Sequence, residues 1–404
     1  MLMVFLMAAC GTSDEPDAPD TPGTPDQPVA PDDPSRPDDP DDPSAQSRTV
    51  LVYMVADNSL GYYDFDESDL EEMQLAVADG VLGDGGRLLV YYNRPGTDSG
   101  NAPMLLEFTS GGRVTLKDYA DDPSIYSTDA GRMTQVIGDV RAYAPARQYG
   151  LVLWSHASAW LEEGGSRNGA VDGGLMQRSF GNDRGRKMKI TSLATALEGI
   201  DLEFIYFDCC LMASVEAAYE LRHVTPWIVA TTTELPADGT NYRLSLPCMF
   251  APGEPDVKGI ASATFDYYAG MNSTCTMSVI DTSKLDALAA ASRRVMECAP
   301  SNGKEAGAYQ RFSSKGSYKP LVDMADYYEA FTGVDEEIMA SWRVALGEAV
   351  AYEAATPVAI GGVRIDTHCG LSTLFISDPA ETDYMGYESQ AWWADVVSHN
   401  PDYR

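Results

Sequence analysis

From residue 49 onward, apolar runs rich in β-branched and aromatic residues alternate with segments of helical periodicity. Strands are predicted at 49–56 (TVLVYMVA), 87–93 (RLLVYYN), 150–155 (GLVLWS), 204–208 (FIYFD), 227–233 (WIVATTT) and 275–280 (CTMSVI). Helices are predicted between them, at 66–79, 131–143, 190–199, 211–222 and 257–269. A continuously apolar strand such as 150–155 is buried on both faces, as in a parallel sheet. The alternation therefore predicts an α/β fold, a largely parallel sheet with helices on both faces. Beyond about 281 the pattern turns mainly helical (281–297, 320–332, 335–355), and an apolar run at 371–376 is placed to return a strand to the sheet.

The N-terminal segment breaks this pattern. Residues 1–10, MLMVFLMAAC, resemble the end of a bacterial lipoprotein signal in which Cys10 is cleaved free and acylated, although no Lys or Arg precedes the apolar run. Residues 11–48 carry prolines at 16, 19, 22, 25, 28, 31, 34, 37, 40 and 43. Polyproline II has three residues per turn, so this period predicts a stiff spacer reaching on the order of 100 Å. Residues 49–285 then form the sheet-bearing core, and 286–404 the helix-rich C-terminal region. The expected location is the cell envelope, as a lipoprotein of the outer membrane or cell surface.

Composition narrows the partners. The chain is 44% hydrophobic and 10% aromatic, which excludes disorder throughout. Lys and Arg number 28 against 61 Asp and Glu, a formal net charge of -33. Removing the spacer's eleven acids and two arginines still leaves -24 on the rest. Such a surface repels phosphate backbones, so nucleic acid is a poor partner. No apolar run approaches the roughly 18 residues of a membrane-spanning helix, and any membrane contact runs through the lipid. The seven cysteines have no disulfide-scaffold or zinc spacing, and no metal site is predicted. The acidic run 64–72 (DFDESDLEE) is a candidate for calcium, but lacks the spacing of a calcium loop.

Two predicted strands end in chemically capable residues. GLVLWS runs into His156 and Ala157; FIYFD ends on Asp208 and runs into Cys209 and Cys210. Sites in open α/β sheets form at the carboxyl ends of strands. A cysteine before a predicted helix, with an imidazole in reach, supplies a nucleophile and a base. The competing assignment is a core cysteine pair and a structural histidine.

WSHASAW (Trp154–Trp160) and FDCCLMASVEAAYEL (Phe207–Leu221) resemble the clostripain family of cysteine peptidases, in the clan of caspases, legumains and gingipains. LVYMVADNSL and DLEEM within 51–73, FGND at 180–183 and GLSTLFIS at 370–377 add to the resemblance. It implies a caspase-like sheet, a protein or peptide substrate, His156 as catalytic base and Cys210 as nucleophile. It further implies an oxyanion hole from the N–H groups of Ala157 and Cys210. Asp208 would then sit at the floor of the S1 pocket and prefer Arg or Lys at P1; the alternative is a helix-capping role. Ala157 and Ala159 stand where the family has glycines. Relatives are commonly cut between the His and Cys segments. The stretch between Trp160 and Ile190 is rich in Arg and Lys, and self-cleavage is expected after Arg167 or Arg178. A catalytically silent protein-binding module on the same fold is the alternative function.

Overall fold

The computed structural model describes residues 48–96, 100–120, 122–161, 180–298, 308–314, 321–375 and 386–403. Cys10, the spacer, Arg167 and Arg178 lie outside them. A nine-stranded sheet organises the chain. Its strands are β1 (Arg48–Val55), β2 (Gly86–Asn93), β3 (Met104–Thr109), β4 (Gly112–Asp118), β5 (Tyr149–Trp154), β6 (Leu202–Asp208), β7 (Trp227–Ala230), β8 (Thr276–Asp281) and β9 (Val350–Ala355). They lie in the order β9-β8-β7-β6-β5-β1-β2-β3-β4. The run β2-β1-β5-β6-β7 is parallel, and antiparallel strands flank it on both sides.

The parallel strands are apolar throughout because both faces are covered. On β1, Leu51, Tyr53 and Val55 face a core shared with helices Ala130–Tyr143, Ile190–Ala196, Val215–Glu220, Leu285–Cys298 and Glu336–Ala349. Val50, Val52 and Met54 face the other core, shared with Phe65–Ala78, Tyr242–Met249 and Val257–Gly270. Fully burying each such aliphatic side chain contributes about 1.5–3 kcal/mol. Among the described residues no helix is long and apolar enough to cross a membrane.

The largest departures from the sequence pattern lie where tertiary pairing overrides local preference. The predicted helix 335–355 is a helix only over Glu336–Ala349, started by Asp335, whose side chain accepts the Glu337 N–H. The remaining residues form β9, an edge strand antiparallel to β8. Thus β9, and not 371–376, is the strand that the C-terminal region returns to the sheet. Within 371–376, Ser372–Leu374 pairs with Leu321–Asp323 in a separate two-stranded sheet. The predicted helix 320–332 shrinks to Met324–Tyr328, because Asp323 ends the short strand and caps the helix at Asp326 N–H. The β3–β4 hairpin and helix Tyr242–Met249 have no counterpart among the predicted elements.

Candidate active site

Strands β5 and β6 are parallel neighbours in which Trp154 pairs with Asp208. His156 and Cys210 therefore occupy corresponding positions beyond the carboxyl ends of adjacent strands. The loop carrying His156 is fixed by its backbone. Ser155 Oγ donates to Val55 O at 2.8 Å and accepts from Asn182 N at 3.1 Å, while Gly181 N donates to His156 O at 3.0 Å. The imidazole itself meets Ser59, with Oγ···Nε2 at 2.8 Å. Ala157 bridges Phe180 in antiparallel fashion, and that pairing draws on the carbonyl of His156.

The two adjacent thiols have opposite surroundings. Cys209 is buried in the hydrophobic core, and that burial pushes its thiol well above the usual range. Cys210 is half-buried, and the Leu235 N–H points at its sulfur at 3.4 Å, the kind of donor a thiolate accepts from. Leu211 follows with a left-handed φ of 67°, its N–H bonded to Thr233 O, so the chain turns sharply after Cys210. The helix predicted at 211–222 begins only at Val215, capped by Ser214. Cys210 lies outside its first turn, where the helix dipole has decayed, so the expected dipole assistance does not apply.

Ser214, not Asp208, is the helix cap. Asp208 is instead buried against the opposite layer, accepting from Thr240 N at 3.0 Å and from the Tyr242 hydroxyl at 2.9 Å. Burial, with Glu72 adding, raises its carboxyl to about 7 despite these two donors. Asp69 is buried on helix Phe65–Ala78, where it accepts the Trp154 indole N–H at 2.6 Å. Its carboxyl is driven well up by burial and then by Asp208. Glu72 accepts from Asn241 Nδ2 and Tyr242 N, both at 2.8 Å. Asp238 is exposed at the rim and acts on both Asp69 and Glu72. Between Asp238 and Thr240, Gly239 has φ +60°, and a Cβ there would lie 2.9 Å from Asp208 Oδ2. Only glycine lets the loop lie this close to the carboxylate.

Sequence patterning did not find Ser59, Asp238 or the Gly239–Tyr242 donors. Their available signals were the NSL segment after the first strand and the Asp-Gly turn dipeptide at 238–239. Acids of the run 64–72 are engaged by protein donors. Asp66 accepts from Tyr92, Asp69 from Trp154 and Glu72 from Asn241 Nδ2 and Tyr242 N, and among the described residues no group of three or more His, Cys, Asp or Glu has metal-holding geometry. Of the two alanines in place of glycines, Ala159 carries the cost: its φ is +58°, whereas Ala157 is not in the left-handed region. A left-handed alanine costs roughly 1–2 kcal/mol.

Comparisons with known proteins identify the family and the fold. The model of the Clostripain family, peptidase C11, matches residues 52–351. An inactive zymogen C11 protease from Parabacteroides distasonis is 29% identical, with a TM-score of 0.74 over 88% of this chain and 99% of that one. A secreted C11 cysteine protease from Bacteroides thetaiotaomicron, solved with an irreversible peptide inhibitor, is 26% identical, with a TM-score of 0.70 over 86% of this chain and 98% of that one. No curated protein sequence matches. With the family model spanning most of the sheet-bearing chain, this protein belongs to the clostripain family of cysteine proteases.

Proposed function

We propose that this chain is an exported, lipid-anchored endopeptidase that cuts after Arg or Lys through a Cys210–His156 dyad. One observation carries the dyad: His156 and Cys210 extend in register from paired strands, with only the second of the two cysteines outside the core. Cys210 gives its proton to His156, and the sulfur attacks the scissile carbonyl. The N–H groups of Ala157 and Cys210 hold the oxyanion, and His156 returns the proton to the leaving amine. Water then hydrolyses the thioester, releasing the acid and restoring the thiol. This chemistry uses side chains, backbone and water alone.

Basic P1 specificity rests on the acids. Asp208, Asp69, Glu72 and Asp238 lie about one strand end, and a guanidinium or ammonium entering there relieves their mutual repulsion. The anchor rests on Cys10 alone. Self-cleavage after Arg167 or Arg178 follows from the same specificity, and a relative of this fold is described as an inactive zymogen. The left-handed Ala159 favours the silent-module alternative, because it strains the loop that carries His156.

An Arg- or Lys-directed acyloxymethyl ketone with mass mapping separates the two. Label on Cys210, lost in Cys210→Ala and His156→Ala and kept in Cys209→Ala, is the expected outcome. Absence of label on the intact chain and on material cut in the 161–189 loop would establish the silent module. Purified protein incubated alone should resolve into two fragments, and Cys210→Ala should stay one band.

A further inference from the structure

The dyad has a third contact that family resemblance does not supply. We infer that Ser59 is a positioning residue for His156, holding the imidazole through Nε2 so that Nδ1 exchanges the proton with Cys210. This rests on the dyad proposed above. The direct observation is the 2.8 Å approach of Ser59 Oγ to His156 Nε2.

The support behind Ser59 is stiffer than its exposed position suggests. Ser59 opens the short helix Ser59–Tyr62, and its neighbour Asn58 is buried. Asn58 Nδ2 donates to Val55 O at 2.8 Å and to Asn182 O at 2.7 Å, and its Oδ1 accepts the Leu60 N–H at 2.9 Å. Those bonds tie the segment to the end of β1 and to the segment that also holds His156 O through Gly181. Since β1 pairs with β5, Met54 against Trp154, the hydroxyl and the imidazole rise from adjacent strands. In sheet order Ser59 follows β1 on one side of β5 and Cys210 follows β6 on the other, so His156 lies at the strand end between them.

The chemistry of a hydroxyl suits this place. With Nε2–H donating to Ser59 Oγ, the lone pair of the neutral ring is on Nδ1, the tautomer a base facing Cys210 needs. When the ring gains the thiol proton, Oγ still accepts from Nε2–H, so the contact survives both halves of the proton cycle. A carboxylate would hold the imidazolium more strongly and retard proton return to the leaving amine. A hydroxyl orients the ring without that bias.

The test uses the full chain and an Arg-aminomethylcoumarin peptide. Ser59→Ala should lower kcat by about fivefold to tenfold, the scale of one neutral hydrogen bond, with KM unchanged. Ser59→Thr, which keeps the hydroxyl, should recover kcat to within about twofold of the parent. Alkylation of Cys210 by iodoacetamide should slow in Ser59→Ala in parallel with kcat, while the melting temperature stays level. Unchanged kcat in Ser59→Ala, a loss confined to KM, or no recovery in Ser59→Thr would overturn the role. Full activity in His156→Ala would overturn the dyad as well as this inference, so the two failures are distinguishable.

Discussion

Asp208 and Glu216 flank the same turn of chain, both carboxyls are buried, and burial raises both above the ordinary carboxylate range. Their neighbours differ in kind. Glu216 Oε1 accepts from Thr373 Oγ1 at 3.0 Å, Leu374 N at 2.9 Å and the Tyr387 hydroxyl at 3.2 Å. It fastens the C-terminal segments onto helix Val215–Glu220. Asp208 has two donors and, beyond them, further acids. An acid ringed by donors is a fastening; an acid packed among acids is held at a cost and stabilised by a cation. Position in the fold agrees, since Asp208 ends a strand at the carboxyl edge while Glu216 faces the helical layer.

Deleting the fastening should have the largest effect. Glu216→Ala leaves buried donors from Thr373, Leu374 and Tyr387 unpaired, at about 1–3 kcal/mol each. The expected loss of stability is therefore at least about 3 kcal/mol, measured by denaturant unfolding, with any surviving folded enzyme keeping its P1 preference. Normal stability in this variant would erase the distinction between the two acids.

Asp208→Asn should act the other way round. Selectivity for Arg over neutral P1 residues should fall by about 2–3 kcal/mol, on the order of 30- to 150-fold in the ratio of kcat/KM values. Stability should hold or rise, since the change removes a buried acid from among acids. Equal turnover of Arg and Leu substrates by the parent protein would refute the S1 assignment.

pH supplies the next test. With Asp208 near 7 in the free protein, it is neutral below that value and charged above it. Binding of a basic side chain needs the charged form, so kcat/KM for Arg substrates should fall about tenfold per unit as pH drops below 7. Asp208→Asn should lose that limb. The same sign governs stability: the folded state binds the proton more tightly than the unfolded chain, so Asp208 lowers stability progressively as pH rises from about 4 to 7. A thermal-melt series should show Asp208→Asn gaining on the parent across that window.

The smallest effect belongs to the loop beside the dyad. Ala159→Gly relieves the left-handed strain but loosens the unfolded chain, leaving a net gain of about 0.5–1 kcal/mol in stability. A loss instead would mean that the Ala159 methyl group, fully buried, contributes more by packing than its φ costs.

Much of the architecture was legible because the parallel strands must be apolar on both faces, and those runs stand out. Strands β1, β2, β5, β6, β7 and β8 fall where β-branched and aromatic residues cluster. The β9 strand did not show, since VAYEAA is half-exposed and continues a helical composition; it exists because β8 offers an unpaired edge. Likewise Met104–Asp118 has an uneven pattern, and its two strands form by pairing outward from β2.

At the candidate site the division is sharper. His156, Asp208, Cys209 and Cys210 stood out as candidates because each follows or ends an apolar strand, whereas the choice of Cys210 over Cys209 rested on the family resemblance. That Cys209 is buried in the core while Cys210 is only half-buried goes with the turn at Leu211, whose N–H is bonded to Thr233 O. Ser59, Asp69, Glu72 and Asp238 come from segments remote in sequence, and no local preference links them to His156 or Asp208. Only sheet order brings them there. Chain-local physics, burial and periodicity, decides what each segment becomes; distances between segments depend on register and crossover, which are properties of the packed whole.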